Sequence, residues 1–392
     1  METVCKQNQC TGCMACVESC AKNAIRIDDA FDSYNAVINK ELCINCGLCH
    51  RTCPNNKPAI KHEPIEWCEG WASDDIRGNA SSGGVASAII KSFIEQGGYV
   101  ASCLFKKGSF SFEITNNVNE AKKFSGSKYV KSNPLGIYKK IKLLLSENEK
   151  VLFLGLPCQV AGLKNYLNLE NNDNLYTVDL ICHGSPSPKI LDLFLRENNV
   201  DIEHVKDVRF RNKVAFEVSA EKSKEDYIRL SPAGVQDMYT YAFLNALDYT
   251  ENCYACRYAS LDRVSDITLG DSWSSKLAKE EQNKGISLIL CQTEKGKRLI
   301  QDTKLTLGAV DLKDAITANH QLSHPSIEPV GRKKFFDNLS KGFEHALFAS
   351  VPKIYLRKKL KTLLLKAKFL RGGGREKKKI IEYAVQYIYI KE

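Results

Sequence analysis

From about Glu63 to Val351, short apolar runs of strand length alternate with longer segments whose apolar residues recur at helical spacing. Gly83–Gln96 reads as a helix stopped by Gly97-Gly98, Tyr99–Phe105 as a strand, Pro134–Ser146 as a helix and Val151–Leu154 as a buried strand. The alternation continues through a strand at Leu175–Ile181, a helix at Pro188–Glu197, and strands at Val205–Phe210 and Phe216–Ala220. Buried strands at Val264–Leu269 and Ser287–Cys291 and a helix at Lys295–Asp302 follow. This pattern predicts an α/β core of mixed sheets. Residues 1–62 lack the periodicity and cannot build a hydrophobic core alone, so an inorganic group must hold them. Three regions result: 1–62, a core at 63–351 that divides near 63–146 and 147–351, and a tail at 352–392. The fold class expected is α+β / α/β.

Composition excludes wholesale disorder: the 392 residues are 43% hydrophobic and 26% charged, with a mean hydropathy of -0.30. No uncharged apolar run of about 18 residues occurs, and the first cysteines precede any apolar stretch of signal type. A cytoplasmic protein is therefore expected. The net charge of +10 belongs to the tail, where residues 353–392 hold 13 Lys/Arg against 3 Asp/Glu. The sixteen cysteines read as metal or cluster ligands before disulfides in a reducing compartment.

Cys10-x2-Cys13-x2-Cys16-x3-Cys20 and Cys43-x2-Cys46-x2-Cys49-x3-Cys53-Pro54 form the doubled bacterial ferredoxin spacing for two [4Fe-4S] cubanes. Three cysteines spaced by two wrap one cubane, and the fourth ligates the other. Cluster 1 is therefore Cys10, Cys13, Cys16 and Cys53; cluster 2 is Cys43, Cys46, Cys49 and Cys20. Ala21 stands where the first motif usually carries proline. Structural zinc needs two C-x2-C pairs and has no use for the third cysteine repeated in both motifs.

Four further cysteines occupy site positions. Cys158 and Cys182 follow strands, and Cys253-x2-Cys256 lies in a loop. They suffice for one more four-cysteine site, although spacing alone does not separate iron-sulfur from zinc or from buried thiols. Ser81-Ser82-Gly83-Gly84 precedes a helix, where backbone N-H groups and the helix dipole favour a phosphate or serve an ordinary cap. Gly126-Ser127-Lys128 offers a second small-residue loop with a cation, which pairs with a pyrophosphate or is merely solvated.

The strings Ser81 to Val85, Gly126 to Val130, Val151 to Leu163, Val178 to Pro188, Cys253 to Tyr258 and Ser265 to Trp273 together resemble the coenzyme F-420 hydrogenase/dehydrogenase beta subunit family, with a two-cluster ferredoxin domain in front. The resemblance implies an iron-sulfur flavoprotein oxidoreductase. In that case Cys158, Cys182, Cys253 and Cys256 ligate a third [4Fe-4S] cluster, and Ser81, Ser82, Gly83, Gly84, Ser127 and Lys128 contact the phosphates of FAD. It also implies a ferredoxin or other redox-protein partner and a two-electron acceptor, either deazaflavin F-420 or another small molecule. Fusions of this kind also resemble bacterial proteins linked to surface-polysaccharide synthesis, so the substrate does not transfer with the fold. The alternative is an electron-transfer subunit serving a separate catalytic partner.

Two proton-carrier candidates remain. Asp271 closes a buried strand, where it orients a flavin, takes a proton or caps the next helix. His183 follows a ligand candidate, as proton donor, as hydrogen-bonding support for the cluster, or as an ordinary hydrogen-bonded histidine. Cys5, Cys68, Cys103 and Cys291 fit no pattern and read as buried thiols. Pro352–Arg371 mixes cations with Leu, Ile and Phe, suiting either peripheral contact with an anionic membrane or a helix packed on the core. No nucleic-acid module surrounds it.

Overall fold

Leu152 and Leu154 join one apolar cluster while Val151 and Phe153 join another, so this strand sends alternate side chains to two covered faces. The same two-faced burial organises the main sheet of the computed structural model, which describes residues 2–168, 172–213, 215–223, 226–232 and 235–366. Its strands are β3 (Glu66–Trp71), β4 (Tyr99–Lys106), β5 (Ser109–Thr115), β6 (Val151–Gly155), β7 (Leu175–Leu180), β11 (Ile267–Asp271), β12 (Ser287–Cys291) and β13 (Thr306–Gly308). β1 (Ile25–Asp29) and β2 (Tyr34–Ile38) form an N-terminal hairpin; β8 (Asp207–Asn212), β9 (Ala215–Ser223) and β10 (Asp226–Arg229) form a small antiparallel sheet. The large sheet runs β13-β3-β12-β11-β7-β6-β4-β5. Its central pairs β4·β6, β6·β7 and β7·β11 are parallel, and both flanks are antiparallel.

The Val85–Glu95 and Glu294–Gln301 helices cover one face through Ile89, Phe93, Leu299 and Ile300. Ile137–Ser146 and Pro157–Leu167 cover the other through Tyr138, Ile141, Val160 and Leu163. The N-terminal region sits on this second face, where Cys13 and Ala15 enter the same apolar cluster. Glu18 receives the N-H groups of Gly136 (2.6 Å) and Lys139 (2.9 Å), placing a carboxylate at the N-terminus of the Ile137–Ser146 helix. Ser187 donates to Asp29 (2.6 Å), and the Asp32 carbonyl accepts from Glu251 N (2.7 Å), completing the seam.

Element positions differ from the sequence reading at their ends. The helix expected from Pro134 begins at Ile137, because Asn133 Oδ1 accepts the Leu135 N-H and closes a turn first. The strand expected from Val264 begins at Ile267, because Asp266 spends its carboxylate on Thr177 and Thr293 beside the sheet. The sequence reading assigns no strand at β3, β5, β10 or β13; β3 is polar at several positions, and β13 has three residues. The tail continues as a helix, Pro352–Lys366, docked through Tyr355 and Lys359 on Glu344 and through Lys358 on Gln236. The remainder of the expected tail lies outside the described residues. Among the described residues no helix is long and apolar enough to cross a membrane.

Candidate redox site

Cys10, Cys13, Cys16 and Cys53 are buried, Cys20, Cys43 and Cys49 are half-buried, and Cys46 is exposed. Their neighbourhoods sort by group: Cys10 interacts electrostatically with Cys13 and Cys16, Cys53 with Cys13, and Cys49 with Cys20, Cys43 and Cys46. Cys16 also senses Cys49, so the two groups adjoin. The first group faces the core and the second faces solvent. Cys5, which matched no motif, packs among Cys10, Cys16 and Cys53.

The core cysteines meet although they lie up to 98 positions apart in sequence. Cys158 enters the first turn of the Pro157–Leu167 helix directly after β6, and Cys182 lies just past β7. Cys253 sits in the turn Glu251–Ala255, and Cys256 follows it. Gly184 lets these segments close: at φ +143° it presses against the Tyr249 ring, and an added Cβ would lie 2.2 Å from it. Pro186 and Tyr249 then bridge as a short antiparallel pair. All four cysteines line one cavity of about 310 Å³, and Lys6, Gln9, Thr11, Asn55 and Asn56 of the N-terminal region close its other side. Helix packing shortens the distance further, since a Cβ at Gly162, one turn beyond Cys158, would lie 3.0 Å from Cys13 Sγ. All sixteen cysteines are free, and no group of three or more Cys, His, Asp or Glu suited to one metal ion occurs among the described residues.

A second, larger cavity of about 1310 Å³ lies beyond the Ser81 and Ser127 loops, with ten lysines and arginines on its walls against five carboxylates. Ser127 N donates to Ser81 Oγ (2.9 Å), so the two loops expected to act together are in contact. Ser82 Oγ is turned to the Ile286 carbonyl (3.0 Å). Gly83 is required by packing, because a Cβ there would lie 2.6 Å from the Gly70 carbonyl oxygen and 2.8 Å from Ser287 N. Gly84 (φ +81°) precedes the helix, which has no side-chain cap. Lys128 is half-buried and donates to the carbonyls of Phe124, Ser125 and Gly126 at 2.8–2.9 Å. Its ammonium therefore braces its own loop at the cavity wall.

The two proton-carrier candidates occupy different places. His183 lines the cysteine cavity, contacts Gln321 at 2.7 Å, and is pushed down to about 4 by burial and then by His320. Burial favours its neutral form, and a pKa that far below 7 makes it neither a proton donor nor a strong base near neutral pH. Asp271 caps no helix, since the next one begins after Ala278. It grips Arg211 instead, at 2.6 and 3.0 Å, and Arg211 lies over Phe216 and Trp273 on the wall of the larger cavity.

Sequence reasoning missed two residues here. Arg263 is 1% exposed and binds Asp179 (2.8 Å), the Leu180 carbonyl (2.9 Å) and the Tyr258 carbonyl (2.5 Å). It thereby ties the Cys253–Cys256 segment to the strand that delivers Cys182. Lys131 is 6% exposed, lines the cysteine cavity, and donates to the Thr11 carbonyl at 3.2 Å. Neither carries a local signal; each acts on segments remote in sequence.

Comparison with known proteins adds identities to this geometry. Residues 148–315 match the family model for the C terminus of the coenzyme F420 hydrogenase/dehydrogenase beta subunit, and residues 9–57 match the 4Fe-4S dicluster domain. The coenzyme F420-dependent sulfite reductase of Methanocaldococcus jannaschii is 25% identical over 335 residues, 78% of this chain and 47% of that protein. The F420-dependent formate dehydrogenase subunit beta of the same organism is 24% identical over 236 residues, 57% of this chain and 55% of that protein. The chain spans about half the length of the curated relatives it matches. A chain in the xenon-derivatised F420-reducing [NiFe] hydrogenase complex of Methanosarcina barkeri aligns with a TM-score of 0.46 at 18% identity, covering 72% of this chain and 97% of that one.

Proposed function

From a chain that carries a 4Fe-4S dicluster domain, and so two [4Fe-4S] clusters, ahead of the C-terminal domain of a coenzyme F420 hydrogenase/dehydrogenase beta subunit, we propose an iron-sulfur flavoprotein oxidoreductase. It passes electrons between a ferredoxin-like donor and a two-electron organic acceptor, coenzyme F420 or another small molecule. The observation that carries this reading is the convergence of Cys158, Cys182, Cys253 and Cys256 on one cavity closed by the dicluster domain. In this reading the four thiols hold a third [4Fe-4S] cluster. The eight N-terminal motif cysteines hold the other two, in the crossed sets Cys10, Cys13, Cys16, Cys53 and Cys43, Cys46, Cys49, Cys20.

The larger cavity has the volume and cationic lining for FAD. Of the expected phosphate contacts, Ser81, Ser127 and Lys128 line this cavity and would receive the phosphates, whereas Ser82, Gly83 and Gly84 stand outside its lining. When bound, clusters supply one-electron transfer and the flavin supplies exchange of electron pairs with the acceptor. The protein's residues do the rest. Lys128 and Lys131 stand three residues apart on different cavities, so the chain between them spans at most about 11 Å. Tyr129, between them, stacks on Phe243 at 4.4 Å and stiffens the dividing wall. Arg211, a residue of the larger cavity's wall, has its guanidinium held by Asp271 and so fixes the wall rather than offering a free cation.

A second reading, an electron-transfer subunit without a substrate of its own, draws support from the relative named as a formate dehydrogenase beta subunit. Iron, acid-labile sulfide and released flavin, measured on anaerobically reconstituted protein and on a Cys253→Ser/Cys256→Ser variant, test the main reading. About twelve iron and one FAD per chain are expected, falling to about eight iron in the variant. About eight iron in both proteins would overturn the core-cluster assignment. Reduction of F420 by the isolated chain would favour the enzyme over the subunit.

A further inference from the structure

Three cations line the cysteine cavity, and only one is buried: Lys6 and Arg257 are exposed, whereas Lys131 is 6% exposed. Lys131 stands between the two cysteine-bearing regions. Its Nζ donates to the carbonyl of Thr11, which lies between Cys10 and Cys13, and stands 5.1 Å from the centre of the Tyr34 ring. Its backbone N-H is fixed on the Pro186 carbonyl at 2.9 Å. No carboxylate among the described residues lies within ion-pair distance of it, and it lines the same cavity as Cys158 and Cys182. Burying an ammonium without a counter-anion is expensive, so such a group calls for an anion in the space it faces.

We propose that Lys131 is the buried counter-charge of the core cysteine site and draws electrons from the dicluster domain toward it. The inference rests on the reading that Cys158, Cys182, Cys253 and Cys256 hold an iron-sulfur cluster. Four thiolates give such a centre a negative charge that grows by one on reduction, so a fixed neighbouring cation stabilises the reduced form more than the oxidised one. In the transfer the neighbouring dicluster centre loses one electron and the core centre gains it; no bond is made or broken. Water screens Lys6 and Arg257, while burial leaves Lys131 largely unscreened. Lys131 acts as a positioning residue for charge.

The test is an anaerobic redox titration followed by electron paramagnetic resonance, with iron counted on each sample, for the full chain, Lys131→Met and Lys131→Arg. Lys131→Met keeps the length and removes the charge. It is expected to retain about twelve iron and shift the core centre's reduction equilibrium at least tenfold toward the oxidised form, a fall of about 59 mV for one electron. Lys131→Arg should recover most of that shift, which packing alone would not produce. Loss of about four iron in Lys131→Met but not in Lys131→Arg would also support the charge role. An unchanged core potential in Lys131→Met with full iron, or equal iron loss in both variants, overturns it. If the unaltered chain itself binds only about eight iron, the core-cluster reading has failed, and the iron count separates that result from failure of the Lys131 inference.

Discussion

The N-terminal region and the α/β core bury their interiors by different means. The apolar cluster of the first holds nine residues, four of them cysteine, with Val4, Ile25, Tyr34, Ala36 and Ile38 as the rest. One cluster of the core alone holds eighteen, seventeen of them ordinary hydrophobes from Val85 to Ile300. The hydrophobic effect suffices for the second and falls short for the first, where ligand bonds must supply the difference. A region held by cluster ligation can place redox centres close together with little protein between them. A region held by a packed sheet can keep strand exits such as those at Cys158 and Cys182 in register.

Removing iron should break this comparison most visibly. Chelation under mild oxidation is expected to abolish hydrogen-exchange protection across β1 and β2 while β6, β7 and β12 keep theirs. Equal protection before and after iron removal would show that the small apolar cluster suffices, contrary to this account.

A smaller effect sharpens the comparison within the core. Asp248 is fully buried, neither carboxylate oxygen has a hydrogen-bond partner among the described residues, and burial pushes its pKa up to about 8. Between about pH 4 and 8 the folded chain therefore holds a proton that the unfolded chain releases, so this group's contribution to stability falls as pH rises and levels off above 8. Asp248→Asn should be more stable than the parent by about 1–3 kcal/mol at pH 8, with little gain at pH 4. Thermal melts at the two pH values measure it, and an equal gain at both would contradict the assignment.

The smallest effect lies at the seam between the regions. Ser187 caps the Pro188–Glu197 helix by accepting from Lys189 N (3.1 Å) and donates to Asp29 of β1 (2.6 Å). Ser187→Ala is expected to cost about 1 kcal/mol. Exchange at β1 should rise more than exchange in β6; a uniform rise would make the serine a helix cap only.

Much of this molecule is legible in its sequence, and for local reasons. Leu175–Ile181 and Ser287–Cys291 are apolar runs whose strand character requires only their own residues, and the structure keeps both within a residue. The strand β5 alternates polar and apolar residues at strand period, a local signal that the sequence reading passes over, and the Lys107-Gly108 turn joins it to β4. Asp271 stands at the strand end where the sequence places it, but its partner Arg211 lies 60 positions away and has no sequence signal.

By itself the sequence determined the cysteine spacing that suits cubanes, the alternation that makes an α/β core and the basic character of the tail, because these depend on residues a few positions apart. Only the tertiary structure decided that Cys158, Cys182, Cys253 and Cys256 share a cavity, and that Lys131 stands between that cavity and Thr11. Those meetings depend on strand order and on how the N-terminal region docks, so the segments involved are brought together by burial of the whole sheet rather than by any local rule.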